Sequence, residues 1–353
     1  MMSTRKISTN TSGRRVFVGL SGGVDSAVSA ALLKDQGYAV TGVFIRGYEP
    51  DWMWMRGAHS HCTWREERRD AMRVCLALEI PFLFLDLEKE YKQVVVDKML
   101  EEYKRGRTPN PDVLCNKEIK FGIFWEKALE LGADFIATGH YLTGEKDQSY
   151  FLWTLTKEDL SHTLLPVGHL EKSEVRKLAK KYKLPVAQKK DSQGICFLGQ
   201  VSMDEFLSHF IESEAGEVLS IEGEEIGNHK GLIYYTIGER HGFEVTKKGT
   251  SSGPFYIVAK DFEKNTLIVS DQESEIIKMS PKRIALTNVN WVHEPKGKVI
   301  AQIRYKGEKL PVIVKNNEVV FTQPVRGLSL GQSIVFYSSD KLLGGAVMDK
   351  VLE

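Results

Sequence analysis

Two cysteines in this chain stand among residues that could make a thiol react. Residues 107–122 read RTPNPDVLCNKEIKFG. Pro109 and Pro111 disfavour helix and predict an extended loop, after which Asn116 can cap a helix. Cys115 then lies just before a helix N-terminus, near Lys117 and Lys120, and both features stabilise a thiolate. Asp112 precedes it closely enough to act on the same reacting group. In the second segment, KDSQGICFLG over 190–199, Gly194 and Gly199 flank Cys196, so the loop can move its thiol. Taken alone, Cys196 reads equally as reactive or as core. Cys75 falls on the apolar face of a helix and reads as core. Cys62, in HSHCTW with His59 and His61, lacks a second ligand group at a metal-site spacing.

A third segment handles phosphate rather than sulfur. Residues 19–26 read GLSGGVDS and sit between an apolar run and a helical pattern. Gly22 and Gly23 allow a tight turn and bring backbone N–H groups close to a ligand. Ser21, Asp25 and Ser26 fall where the helix begins, and a helix N-terminus supplies partial positive charge and free donors. The string is neither GxxxxGK[ST] nor GxGxxG, and it contains no lysine. A plain turn capped by Ser or Asp is the alternative. The full SGGVDS string behind a buried strand favours an anion cradle.

The elements that must position these segments follow from periodicity. Strands are predicted at 16–20, 40–45, 81–87 and 134–138. Helices are predicted from Ala27 to near Gly37 and over 63–79, 90–105, 117–131 and 171–183. Such alternation implies βαβ units and a parallel sheet. Beyond about 205 the pattern becomes β-rich, with strands expected at 232–237, 254–260, 266–270, 299–305, 310–314, 318–321 and 333–337. That is a sandwich or barrel texture, split into two small units near 276–283. The expected division is a disordered tail over 1–15, a nucleotide-binding α/β domain over 16–207, a small β-rich domain over 208–277 and a second β unit, sandwich or barrel, over 278–353. The chain has 353 residues, 42% hydrophobic and 27% charged, with net charge +1. No apolar run approaches the ~20 residues of a membrane span. Four cysteines do not make a disulfide scaffold. The tail is basic but has neither an apolar core nor an amphipathic stripe, and the expected compartment is the cytoplasm.

The GLSGGVDS string resembles the signature of the PP-loop ATP pyrophosphatase superfamily. With the cysteine segments the resemblance narrows to the tRNA-specific 2-thiouridylase family. The strings that carry it are GLSGGVDSAVSA, GRTPNPDVLCNKEIKFG, ATGHY, KDQSYFLWTL, LLPVGHLEKSEVRKLA, KKDSQGICFLG and YTIGERHGF, with looser matches in IRYKG, PVRGLSLGQSIVFY and LGGAV. The resemblance implies a Rossmann-like domain of the adenine nucleotide alpha hydrolase type, followed by two small β-rich domains, the last a β-barrel. It implies that ATP, with Mg²⁺ accompanying it and no metal held by the protein alone, adenylates the C2 oxygen of the wobble uridine in the anticodon stem-loop of tRNAs for Lys, Glu and Gln. A persulfide supplied by a cysteine desulfurase or sulfur-relay protein then gives 2-thiouridine, AMP and pyrophosphate. Carried over by position, Cys196 bears the persulfide. Cys115 resolves it, freeing sulfide or closing a disulfide, and Asp112 is the general acid/base. Gly19, Leu20, Ser21, Gly22, Gly23, Val24, Asp25, Ser26, Ile45 and Gly139 hold ATP. Asn110, Pro111 and Asp112 meet the target base, and Lys146, Asp147, Gln148, Arg304 and Tyr305 contact tRNA.

The sequence departs from the family pattern in three places. Only LTGE (142–145) separates GHY from KDQSYFL, where members carry a longer segment. Gly238-Glu239-Arg240 replaces the usual GQR. The stretch 48–64 is unusual throughout. The 171–183 helix, rich in Lys172, Arg176, Lys177, Lys180, Lys181 and Lys183, reads as a basic stripe along RNA phosphates. The alternatives are another PP-loop adenylating enzyme, a non-catalytic tRNA-binding protein, and a thiolase using an iron–sulfur cluster held by Cys115, Cys196 and Asp112.

Overall fold

The computed structural model describes residues 13–52, 63–190, 201–246, 253–295 and 299–353. The chain divides into two units, one of residues up to 97 with 111–200, the other of 98–110 with 201–353. Cys62, Cys196, the histidines at 59 and 61 and most of the N-terminal tail lie outside the described residues.

The first unit is built on strands β1 (Arg15–Gly19), β2 (Ala39–Arg46), β3 (Phe82–Asp86), β4 (Phe135–Ala137) and β5 (Thr163–Leu164). They form one five-stranded sheet in the order β3-β2-β1-β4-β5, with every neighbouring pair parallel. Val16 and Val18 of β1 are fully buried, as a central strand covered on both faces requires. Helix α1 (Val24–Asp35) is lined with Ala27, Ala30, Ala31 and Ser29, all buried. Side chains this small let it pack closely against its neighbours. Helices α2 (Thr63–Ala77) and α3 (Lys172–Lys181) complete that layer.

The strand order reverses between β1 and β4: β2 and β3 lie on one side of β1, and β4 and β5 on the other. In open α/β sheets the ligand crevice forms at the carboxyl ends of the strands at such a switch point. The GLSGGVDS loop leaves β1 there, and Gly139 follows β4.

The second unit holds a mixed sheet and a barrel. The sheet runs β8-β7-β6-β10-β9 (β6 Gly216–Ser220, β7 Glu225–His229, β8 Glu244–Val245, β9 Tyr256–Asp261, β10 Thr266–Ser270). The barrel closes as β11-β14-β13-β12-β15-β16 (β11 Arg283–Trp291, β12 Val299–Gln302, β13 Leu310–Lys315, β14 Glu318–Phe321, β15 Ser333–Ser338, β16 Lys341–Val351). Its interior is filled by Ile284, Ala301, Val319, Ile334, Phe336, Ala346 and Met348. Closure removes the exposed edges an open sheet would leave.

The expected parallel sheet, β-rich second half and terminal barrel are all present. The details differ in places. Residues 232–237 are not a strand: Leu232–Tyr234 form a single 3₁₀ turn, and Tyr235 is buried in the sheet core by packing, not by pairing. β6, β7, β11 and β16 escape the sequence reading because Gly, Asn and charged residues break their alternation. The polar 276–283 stretch overlaps a helix, Glu273–Met279, so the boundary drawn after 277 falls inside it.

Candidate active site

The GLSGGVDS loop is shaped by approaches that only glycine permits. Gly22 takes φ +73°, and a Cβ there would strike the Glu67 backbone on α2. At Gly139, a Cβ would lie 2.7 Å from Ser26 N and 2.9 Å from Asp25 C. The turn after β4 therefore seats directly on the loop. Ser26, buried, accepts from Ser21 N at 3.2 Å and donates to Gly23 O at 3.3 Å. The N-cap of α1 is Gly23, with no side-chain cap. The serines and the aspartate are therefore not spent on capping, and the simple capped-turn alternative does not describe this loop. Leu20 and Val24 are buried, and Leu20 N donates to Val43 O, so these two anchor the loop to the sheet. Gly19 packs beside the Phe124 ring, and Ile45 lies partly buried near the end of β2.

Lysines absent from the loop reach it from distant sequence. Lys172 Nζ donates to both oxygens of Asp25, at 2.8 and 2.9 Å. Tyr141 OH donates to Asp25 Oδ1 at 2.5 Å. Lys189 Nζ donates to Gly22 O at 3.1 Å and to Asp70 Oδ2 at 2.8 Å. Arg176 donates to the carbonyls of Ala187 and Lys189. Lys172 and Arg176 are thus not part of a free basic stripe, which is a correction to the reading of that helix. Lys177, Lys180, Lys181 and Lys183 are exposed. Local periodicity gave no signal for Lys172, Lys189 or Tyr141 as partners of the loop, because their pairing exists only across the fold.

The Cys115 segment differs from expectation. Pro111 does not prevent helix but starts one: residues Pro111–Leu114 are helical, followed by wider π turns over Cys115–Ile123 and a helix over Phe124–Glu130. A proline is tolerated at the first helical position because its missing N–H had no partner to lose. Cys115 accordingly lies within a continuous helical run rather than before its N-terminus, and it is buried. Asn116 does not cap; its Nδ2 donates to Phe151 O at 3.1 Å. Asp112 and Asn110 are half-buried and Pro111 is buried. Cys75 is buried against Gly42, and burial pushes its thiol up to about 11, in keeping with a core role.

The same helical run meets the switch point. The Phe121 ring lies 5.7 Å from that of His140, whose Nδ1 pairs with Thr138 Oγ1 at 2.8 Å. Burial first, and the Lys120 charge second, hold the His140 imidazole well below its usual range, so the ring is neutral. The nucleotide loop, the GHY turn and the Cys115 helix therefore share one end of one sheet.

The remaining expected RNA contacts have internal duties. Asp147 Oδ1 accepts from Ser149 N at 2.8 Å, and Gln148 Oε1 accepts from Tyr141 N at 3.1 Å. They close the shortened turn and orient Tyr141, while Lys146 is exposed. In the second unit, Arg304 donates to the carbonyls of Ile237 and Gly327 at 2.8 and 2.7 Å. Tyr305 beside it is half-buried, with Lys306 over its ring. Glu239, in place of the usual glutamine, accepts from Thr236 N at 3.0 Å. It borders a cavity of about 510 Å³ lined also by Gly238, Arg240, His241 and Tyr256.

Known proteins are similar to this chain in sequence. Residues 14–200 match a family model described as the tRNA methyl transferase HUP domain. Residues 204–271 match the tRNA methyl transferase PRC-barrel domain, and 281–348 the aminomethyltransferase beta-barrel domain. The chain is similar to the tRNA-specific 2-thiouridylase MnmA of Bacillus licheniformis, 44% identical with 96% of each chain covered. It is 43% identical to the protein of the same name from Bacillus subtilis, covering 96% of this chain and 95% of that one. The figures are the same for Staphylococcus saprophyticus.

Proposed function

This chain belongs to the tRNA-specific 2-thiouridylase family, and on that premise we propose that it makes 2-thiouridine at the wobble position of tRNAs for Lys, Glu and Gln in the cytoplasm. The observation that carries the reading is the closure of Lys172, Tyr141 and Gly139 onto Asp25 and Ser26 at the switch point. A loop with an uncapped helix N-terminus and two incoming lysines suits a polyphosphate, and its glycines permit the close backbone approaches that shape it. ATP with Mg²⁺ is the substrate we assign to it. The family model's description mentions methyl transfer, but a phosphate cradle joined to a cysteine-bearing helix suits adenylation and sulfur delivery. Among the described residues no helix is long and apolar enough to cross a membrane.

In the proposed reaction the uridine C2 oxygen attacks the α-phosphorus and pyrophosphate leaves. Gly19 to Ser26, with Ile45 and Gly139, bind ATP, and Lys172 offsets the charge growing on the leaving group. Activation is needed because a carbonyl oxygen is a poor leaving group, whereas AMP is a good one. The terminal sulfur of a persulfide on Cys196 then attacks C2. Cys115 attacks the inner sulfur, forming a Cys115–Cys196 disulfide, and AMP departs with the oxygen. The disulfide is reopened by a thiol reductant, and a cysteine desulfurase or relay protein reloads Cys196. Asp112 moves the protons, Asn110 and Pro111 border the base, and Lys146 and Tyr305 face the tRNA, with Asp147 and Gln148 holding the turn that carries Lys146.

The test is thiolation of unmodified tRNA with ATP and a desulfurase-loaded sulfur source. Wild type forms 2-thiouridine and pyrophosphate; Cys196→Ser retains pyrophosphate release but loses thiolation; Cys115→Ser accepts labelled sulfur without turning over. Label that persists in Cys196→Ser and vanishes in Cys115→Ser reverses the two roles. Counting iron in anaerobically purified protein separates the persulfide route from a cluster-dependent one.

A further inference from the structure

The chain arrives at the Asn110–Cys115 segment along an arm that belongs to the barrel's unit. Residues 98–110 pack with 201–353. Gly106 turns at φ +75°, and a Cβ there would meet the Phe262 ring. The next three residues are each fastened to the barrel. The Arg107 guanidinium donates to Asp349 Oδ1 at 2.9 Å, to Asp349 O at 3.2 Å and to Met348 O at 3.3 Å. Its Nε stands 2.7 Å from Glu102 Oε2, an ion pair not aligned as a hydrogen bond. Thr108 N donates to Leu330 O at 2.8 Å, and Gln332 Nε2 donates to Pro109 O at 3.3 Å. Gly331 lies so near that a Cβ there would stand 3.0 Å from the Arg107 side chain. Met348 and Asp349 belong to β16, the strand that closes the barrel.

The chain immediately beyond the arm is stiff. Pro109 and Pro111 fix their own φ and restrict the residues before them, Thr108 and Asn110. A shift at 107–109 is therefore carried into Asn110, Pro111 and Asp112 instead of being absorbed. We propose that Arg107 is a positioning residue: by fastening the arm to the closing strand of the barrel, it sets the lead into Asn110–Asp112 and Cys115. This rests on the roles proposed for Asp112 and Cys115.

The test uses the full chain with Arg107→Met, Arg107→Lys and Gln332→Ala. Two readouts are taken: the alkylation rate of Cys115 by iodoacetamide, resolved by peptide mass with Cys75 as internal control, and the kcat and KM for tRNA thiolation. A misplacement of about 1 Å costs on the order of 100-fold in rate. Arg107→Met is accordingly expected to raise Cys115 alkylation several-fold, leave Cys75 unchanged and lower kcat by roughly 10- to 100-fold, with KM for tRNA within about threefold. Arg107→Lys recovers part of kcat by keeping the ion pair with Asp349. Should Arg107→Met fail to fold, Gln332→Ala removes only the bond to Pro109 and shows the same split in weaker form. Unchanged Cys115 alkylation and kcat in a folded variant overturn the proposal, as does a loss carried wholly by KM. Faster alkylation of Cys115 in a chain whose wild type does not thiolate tRNA would keep the fastening and refute the proposed function instead.

Discussion

Replacing Lys172 by methionine removes the cation on Asp25 while keeping most of the stem beside Tyr141. The Lys172 ammonium sits 2.8 Å from the carboxylate, and the two side chains are 19% and 30% exposed. At an effective dielectric near 20, a pair at roughly 4 Å attracts by about 4 kcal/mol. Partial exposure and the desolvation of both groups reduce the net to about 1–2 kcal/mol. That lowers the thermal midpoint by roughly 2–8 °C, for domains of this size. In the proposed role the catalytic effect is larger, because a preorganised charge facing a developing anion contributes about 100- to 1,000-fold in rate. Lys172→Met is therefore expected to lose about 100-fold in tRNA-dependent pyrophosphate release. Its tRNA affinity should stay within twofold, since the ammonium is turned to the loop. Pyrophosphate is measured by a coupled phosphatase assay at saturating tRNA, beside a thermal melt. Release within threefold of wild type from a folded variant would refute the assignment of Lys172 to the phosphates.

Two further outcomes follow from the same geometry. His140, His162 and His229 are each held below their ordinary pKa, with burial the largest cause. The unfolded chain therefore takes up protons near 6.5 that the folded chain refuses. Stability present above that pH is lost as pH falls through it, by up to ~1.4 kcal/mol per unit for each histidine. Thermal melts between about pH 7 and 5 should show this fall, and His140→Gln should flatten it; an unchanged slope in the variant removes His140 from the account. Lys177, Lys180 and Lys181 are exposed on α3, and we propose that they meet RNA. Changing all three to alanine should lower the slope of log K against log salt by about 2 units, equally for all tRNAs. Unchanged affinity and slope would make this face merely solvated.

Much of this molecule is legible in its sequence because the signals are local. Alternating strands and helices announce the parallel sheet, and apolar runs between turn residues announce the β-rich half. The GLSGGVDS string carries its own physics, since glycine freedom and a helix start are properties of neighbouring residues. The position of Cys115 was less legible. Pro109 and Pro111 favour a loop, yet at the first helical position a proline costs nothing, and the surrounding packing selected helix. β16 was missed because Leu342–Gly345 breaks the alternation, and only closure of the barrel gives that strand its partners, β11 and β15. Tertiary structure alone decided which charges meet. Lys172 and Asp25 are 147 residues apart, and Arg107 and Asp349 are 242 apart. A charged pair across such a distance leaves no periodicity to read, because its two members are joined by the chain's path and not by its local geometry. The sequence thus determined which chemical groups this protein has at its loop and cysteine segments, and the fold decided which of them are held, neutral, buried or free to act.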